Sequence, residues 1–331
     1  MKTYHRLTFN EREEISRLLS QCYSFNAIAN CLNRDESAVS REINAGGSNK
    51  YLYRAITAQN RARRKASKRR KGKRKLNKNG KLRQIVLKKL KLKWSPKQIV
   101  SFLQREYPQD KDMRISHEAI YTYIYVLPRG QLKKELLSCL RQGKKGRYKR
   151  NRKNKAGIEH KLEDMLSIEE RPKEVAQRTI PGHWEGDLII GKNRRSALGT
   201  LVERTTRTTI LVPIKNREAR TIRKAFAKEV KKLPKQTFLT LTYDQGREMA
   251  EHKLFTKETA VKVYFAHPGS PWERGTNENT NGLIRQFFPK GTDFHKISRK
   301  QIKKVQHLLN GRPRETLGWQ TPYEIFNKLM R

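Results

Sequence analysis

Apolar positions in the first third of the chain recur at helical spacing, in short bursts. Ile15, Leu18 and Leu19 share one face of a segment near Asn10–Ser20. Ile28, Cys31 and Leu32 share one face of a second segment, which Ser24 can cap, and Val39 and Ile43 form the buried side of a third, capped by Asp35. A tight Asn33-Arg34 turn joins the second to the third. Two helices across a short turn predict a helix-turn-helix, with Ser37, Ser40, Arg41 and Asn44 facing outward and Cys31 in the core. The theme returns over 80–126. Leu82, Ile85, Val86 and Leu90 mark one helix, and Ser95 with Gln98 forms a capping box for the next. Ser116 then starts SHEAIYTYIY, which should bury Ile120, Tyr121 and Ile124 and expose His117, Glu118 and Thr122. This is a second helix-turn-helix candidate with a longer turn; a further helix is expected near Gln131–Arg141.

From Trp184 the pattern changes to strands. WEGDLII, ALGTLVERTT and TTILVPI read as a meander, followed by a helix over Glu218–Lys231 with Ile222, Phe226 and Val230 on one face. Strand 237–243, a helix near 248–258, strand 261–265 and a last helix carrying Glu278 complete an α/β layered domain on a mixed five-stranded sheet. Ser270-Pro271-Trp272-Glu273 has the spelling of a capped start for that helix.

Charge changes this picture from a set of folds to a set of partners. The 331 residues carry a net charge of +45, and residues 1–155 hold 42 Lys and Arg against 11 Asp and Glu. No acidic residue occurs between Glu42 and Glu106. Such a bias points to a polyanion, here double-stranded DNA. A membrane partner is not expected, because no run reaches spanning length and no basic amphipathic helix has a broad apolar face. The block RARRKASKRRKGKRK (61–75) cannot bury a core and is expected to be a disordered or DNA-tracking linker. A second basic run, GKKGRYKRNRKNK, separates a binding half from a catalytic half. The expected division is 1–60 helix-turn-helix, 61–79 linker, 80–141 second helix-turn-helix-like unit, 142–175 linker and 176–331 core. Cys22, Cys31 and Cys139 form no CxxC pair and suit a reducing compartment, and Met1–Asn10 lacks the apolar core of a signal peptide.

Three carboxylates stand out against this basic background. Asp187 lies inside HWEGDLIIG, Asp244 sits where strand 237–243 ends, and Glu278 follows after 33 intervening residues. Two unit charges ~4 Å apart repel by about 4 kcal/mol at an effective dielectric of 20, so such a group meets only around something positive. Oxygen-preferring divalent ions supply it, and two of them can clamp the attacking and leaving oxygens of a phosphodiester exchange.

The order of elements and the motifs resemble the ribonuclease-H-like catalytic core of DDE transposases and retroviral-type integrases. More narrowly, nearly the whole chain resembles bacterial insertion-sequence transposases of the IS-thirty group. The matching stretches are LTFNEREEI, SAVSREI, WSPKQI, ISHEAIYTYIY, GHWEGDLIIGK, LTYDQGREMAEH, HPGSPWERGTNENTNGLIRQFFPKGTDF and LNGRPRETLGWQTPYEIF. The resemblance implies a catalytic and metal-binding triad of Asp187, Asp244 and Glu278, holding two Mg²⁺ ions, with Mn²⁺ as a substitute. It also implies recognition of the element's terminal inverted repeats, a homo-oligomer in the synaptic complex, and a cytoplasmic, nucleoid-associated protein. YDQG stands where many relatives have DNG, which leaves the Asp intact. Glu273 fits the capping-box position and Glu185 and Glu203 fit supporting roles. Arg274, Arg285 and Lys290 are expected phosphate contacts, His117 is a capping or DNA-facing residue, and Asn277, Asn279 and Asn281 orient the helix or bind DNA. The rival readings are a repressor with an idle core, which an intact triad disfavours, and a hybrid nuclease, which would not need two sequence-reading units.

Overall fold

A computed structural model of the chain describes residues 5–47, 50–70, 74–140 and 164–329. It divides into two compact units, 1–80 and 81–331.

In the first unit, α1 (Phe9–Ser20) opens on a capping box between Thr8 and Glu11, α2 (Phe25–Cys31) is capped by Ser24, and α3 (Glu36–Asn44) is capped by Asp35. Their apolar faces close on Ile15, Leu18, Leu19, Ile28, Ala29, Val39 and Ile43. Buried Arg12 ties the helices together, donating to Glu42 Oε1 at 2.8 Å and to Gln59 Oε1 at 2.8 Å. Cys31 is exposed, contrary to expectation. Ile28 and Ala29 are the residues of α2 that turn inward, and at 100° per residue Cys31 falls more than a quarter-turn away from their midpoint.

The basic block is also corrected. Helix α4 (Ala55–Arg70) runs through most of it. Ala55 and Ala58 are buried and α4 packs on α1, so tertiary contact nucleates the helix; Ala, Arg, Lys and Gln then propagate it. A short turn, α5 (Lys75–Lys78), follows.

The second unit begins with α6 (Gly80–Lys91), α7 (Pro96–Glu106), α8 (His117–Val126) and α9 (Gln131–Cys139). The Ser95–Gln98 capping box forms as its spacing predicts. On α8 the buried residues are Ile120, Tyr123 and Ile124, while Tyr121 is half-buried and stacks on Tyr125. The inward face is therefore rotated from the expected one, because α8 contacts both α7 and α9. Side chains join this helical pack to the last residues of the core, Lys97 pairing with Glu315 at 3.7 Å among them. Gln98 Nε2 donates to the Pro313 carbonyl at 2.8 Å, Arg312 Nη2 to the Leu92 carbonyl at 3.3 Å, and Arg105 pairs with Glu324 at 2.9 Å. The second basic run, 143–155, lies outside the described residues.

The remaining elements are β1 (Leu166–Ser167), α10 (Lys173–Gln177), β2 (His183–Ile190), β3 (Ala197–Glu203), β4 (Thr209–Ile214), α11 (Ala219–Val230), β5 (Thr240–Tyr243), α12 (His252–Thr259), β6 (Lys262–Phe265), α13 (Gly275–Ile284), α14 (Arg299–Asn310) and α15 (Pro322–Leu329). The sheet is mixed, in the order β1-β6-β5-β2-β3-β4, with six strands rather than five. The extra strand, β1, pairs in parallel with β6 and comes from the stretch expected to be a linker; two residues are too few to show a period. One face of the sheet packs Trp184, Leu201, Ile210 and Val212 against Ile222 and Phe226 of α11 and Phe255 of α12. The other packs Ile189, Leu198 and Leu211 against Leu283 and Ile284 of α13 and Ile302, Val305 and Leu309 of α14. Alternation along β2 therefore turns Glu185, Asp187 and Ile189 toward α13.

Candidate active site

Strands β2 and β5 are parallel neighbours, and their register pairs Glu185 with Thr242. Two residues further along each strand, Asp187 comes level with Asp244, both on the α13 face. Gly186 makes this possible, because a Cβ there would lie 2.7 Å from the Tyr243 ring that crosses the strand. The Asp187 carboxylate accepts from the Leu188 amide at 2.8 Å and from Asn281 Nδ2 at 2.7 Å. Asp244 accepts from the Gly246 amide at 3.3 Å. Arg274 spans the two, with Nη1 3.5 Å from Asp187 Oδ1 and Nη2 3.3 Å from Asp244 Oδ2. Burial holds the Asp187 carboxyl above the usual carboxylate range, and the nearby charge of Asp244 adds to this, against the opposing pull of Arg274.

Helix α13 is pinned over this pair by two asparagines one turn apart. Asn281 reaches Asp187; the Asn277 amide donates to Glu185 Oε2 at 2.7 Å and its side chain donates to the Glu185 carbonyl at 3.1 Å. Glu185 is wholly buried and also accepts from Arg204 at 2.8 Å. Glu203 takes the Gly182 amide at 3.2 Å and the Thr206 amide. Glu185 and Glu203 thus fasten the site from beneath. Glu278, between the two asparagines, is exposed in the first turn of α13. Among the described residues, no three His, Cys, Asp or Glu side chains are gathered closely enough to hold a metal ion as they stand. The bridging position between the two aspartates belongs to Arg274.

Several expectations at this end of the core change. Ser270 makes no side-chain cap, and Pro271–Arg274 is a 3₁₀ turn ahead of α13. Glu273 therefore lies off the helix and closes no capping box. It accepts from the His267 amide and ring, each at 2.8 Å, and that contact raises the His267 pKa. Arg285 donates to the Ile190 and Pro289 carbonyls, while Lys290 is exposed. In the helix-turn-helix, Ser37, Arg41 and Asn44 are exposed and Ser40 is half-buried; Arg41 Nη2 rests on Ser37 Oγ at 2.8 Å and Asn44 on Ser40 Oγ at 3.1 Å. His117 is half-buried in the first turn of α8, which Ser116 caps. Arg274 as a carboxylate bridge was missed in the sequence. The i,i+4 spacing of Asn277 and Asn281 around Glu278 was the signal that could have tied α13 to β2.

Over 331 residues, spanning 99% of this chain and 96% of its counterpart, the sequence is 41% identical to the transposase for insertion sequence element IS1086 of Cupriavidus metallidurans. The chain belongs to the insertion-sequence transposases. Transposase InsI for insertion sequence element IS30A of Escherichia coli is 42% identical over 97% of this chain and 83% of its own length. A helix-turn-helix domain matches residues 3–46 of the transposase, the segment that folds as α1–α3. An integrase core domain matches residues 178–271, which contain Asp187 and Asp244 and end before Glu278. The catalytic core domain of BIV integrase is 18% identical over 45% of this chain and 95% of that one, with a TM-score of 0.35, a likeness too loose to bear on chemistry. The transposase is thus a DNA-binding enzyme of transposition and integration. No helix among the described residues is long and apolar enough to cross a membrane.

Proposed function

We propose that the transposase binds the terminal inverted repeats of its element and cuts and joins DNA at Asp187, Asp244 and Glu278. The observation that carries this reading is the register that sets Asp187 level with Asp244 on adjacent parallel strands, under a helix whose Asn281 holds Asp187 and whose Glu278 lies one turn away. Membership of the integrase-core class implies dependence on a divalent metal. The donors are all carboxylate oxygens, and the guanidinium drawn between the two aspartates marks a place that favours positive charge. This set fits Mg²⁺, with Mn²⁺ as a substitute. Asp187, Asp244 and Glu278 would hold two such ions, which when bound lower the pKa of an attacking water or hydroxyl and stabilise the leaving oxygen. The residues of the chain do the positioning. Glu185, Asn277 and Asn281 keep α13 in register with β2, and Gly186 lets Tyr243 support the strand from the opposite face.

In the helix-turn-helix, Ser37, Ser40, Arg41 and Asn44 form the reading face of α3. His117 and Lys290 are further DNA contacts, and Arg274 turns to phosphate once it leaves the aspartates. Arg285 holds carbonyls here, so its phosphate contact requires it to exchange them. Synapsis of two element ends calls for a homo-oligomer acting on the nucleoid in the cytoplasm.

The test uses purified protein, Mg²⁺ and duplex DNA carrying the element ends, with cut and joined products sized. Asp187→Asn, Asp244→Asn and Glu278→Gln should each abolish cleavage while end binding by the separate N-terminal unit persists. Wild-type turnover by any of the three removes that residue from the chemistry.

A further inference from the structure

Beside α13, on the flank away from Asp187, lies a polar cavity of about 330 Å³ lined by Arg178, Arg207 and Arg314 together with Thr276, Asn279 and Thr280. No Asp or Glu is among its lining residues. Glu185 and Glu203, whose charges reach Arg207, are engaged by Arg204, Asn277 and backbone amides beneath. Arg207 donates to Thr276 Oγ1 at 2.7 Å, which fixes its guanidinium to the first turn of α13. Burial, with Arg178 and Arg204 close by, makes the charged state of Arg207 harder to hold than in water.

The backbone adds a second, independent observation. Arg207 sits in the β3–β4 turn at φ 62° and Arg178 at the end of α10 at φ 58°. Both are left-handed positions where glycine or asparagine is the less costly choice. The chain has arginine at both, and both side chains line the same cavity.

Position then decides the ligand. Asn277 and Asn281 mark the α13 face toward β2, while Thr276, Asn279 and Thr280 mark the face toward the cavity; Glu278 lies between them. A DNA strand with one phosphodiester at the carboxylates carries a further charge about every 3.4 Å along its axis, on either side. We propose that the arginine-lined cavity is a phosphate subsite that grips the backbone of the reacting DNA strand next to the phosphodiester being cut. This rests on the assignment of Asp187, Asp244 and Glu278 proposed above. Planar guanidinium groups suit phosphate oxygens, and Arg178 and Arg207 would fix the strand without reading bases, while Arg314, which donates to the Leu309 carbonyl at 3.1 Å, walls the cavity.

The experiment places a single uncharged methylphosphonate at each position in turn near the cut in an element-end duplex. With the wild-type protein, cleavage should fall about tenfold at one position besides the cut itself, as expected for removal of one charge-assisted hydrogen bond. Arg178→Asn/Arg207→Asn, chosen because asparagine tolerates the left-handed backbone, should cut unmodified DNA about tenfold more slowly and show no further loss at that position. Arg207→Lys should restore part of the interference. An identical interference map in wild type and double variant overturns the subsite. Melting temperatures check folding; should the double variant be unstable, exposed Arg178→Asn alone must still weaken the interference, and an unchanged map in that variant also overturns it. A wild-type protein that cuts no end DNA, or an Asp187→Asn variant that cuts normally, would instead sink the carboxylate assignment.

Discussion

Arg274 stands where a divalent ion bound to Asp187 and Asp244 would compete with it, and the strength of that competition can be worked out. At about 3.4 Å and an effective dielectric of 20, one such pair attracts by about 5 kcal/mol. The Asp187 and Asp244 side chains are 28% and 44% exposed, so screening by water reduces each pair to about 1 kcal/mol. A metal that takes both carboxylates gives up roughly 2 kcal/mol of guanidinium attraction, a factor of about 30 in affinity. Arg274→Gln keeps a polar side chain and removes the charge. Mn²⁺ titrated into the DNA-free protein and followed by the electron paramagnetic resonance of the free ion should show binding about 30-fold tighter than wild type. Asp187→Asn should bind weakly with or without Arg274. Equal or weaker Mn²⁺ binding by Arg274→Gln would refute the competition and make Arg274 a plain structural bridge.

Other expectations follow from neighbouring features. Gly186→Ala drives a methyl into the Tyr243 ring; it should cost about 1–3 kcal/mol in melting experiments and, by shifting Asp187, lower the cleavage rate about 100-fold. Burial pushes the Glu11 carboxyl up, but Arg34 and the Thr8 amide outweigh it and hold it at about 2, below the ordinary 4.5. That pair therefore stabilises the helix-turn-helix above pH 4.5 and fades as pH falls toward 2; Glu11→Gln should cost about 1 kcal/mol at pH 7, with thermal melts of variant and wild type converging at low pH. Replacing Arg63, Arg64, Lys65 and Lys68 of α4 by Gln should flatten the salt dependence of DNA binding by about 0.9 for each phosphate left unneutralised. Specific and random DNA should weaken alike, and a collapse of their ratio would mean that α4 reads sequence.

Local chemistry was the most legible layer of the sequence. Ser24, Asp35, Ser95 with Gln98, and Ser116 each cap the helix they announce, because a cap needs only residues two or three apart. The five longer strands were legible for the same reason, as was the alternation that turns Asp187 with Glu185 and Ile189. Where neighbours decide the outcome, the reading failed. The charge of 61–70 hid a helix that α1 supports through Ala55 and Ala58. Glu273 looked like a cap until the chain folded His267 onto it. The level placement of Asp187 and Asp244 depends on parallel pairing between positions 57 residues apart in sequence, and neither periodicity nor spacing shows which strands will be neighbours. The arginines at 178 and 207 carried no local mark, and Arg274 stood out only as a phosphate contact, not as a bridge between aspartates, since each owes its setting to residues distant along the chain.

The contacts from Lys97, Gln98, Arg105 and Arg312 carry a mechanical meaning. They bolt α6–α9 to the far end of the chain, so whatever DNA those helices touch is held at a set distance from β2 and β5. A helical pack that gripped DNA would then act as a caliper, setting the cut a fixed span from the place gripped, whatever bases lie at the cut. Lengthening the covalent connection between residues 140 and 164 leaves the caliper closed, whereas loosening the Pro313 or Glu324 end opens it and lets the cutting position wander.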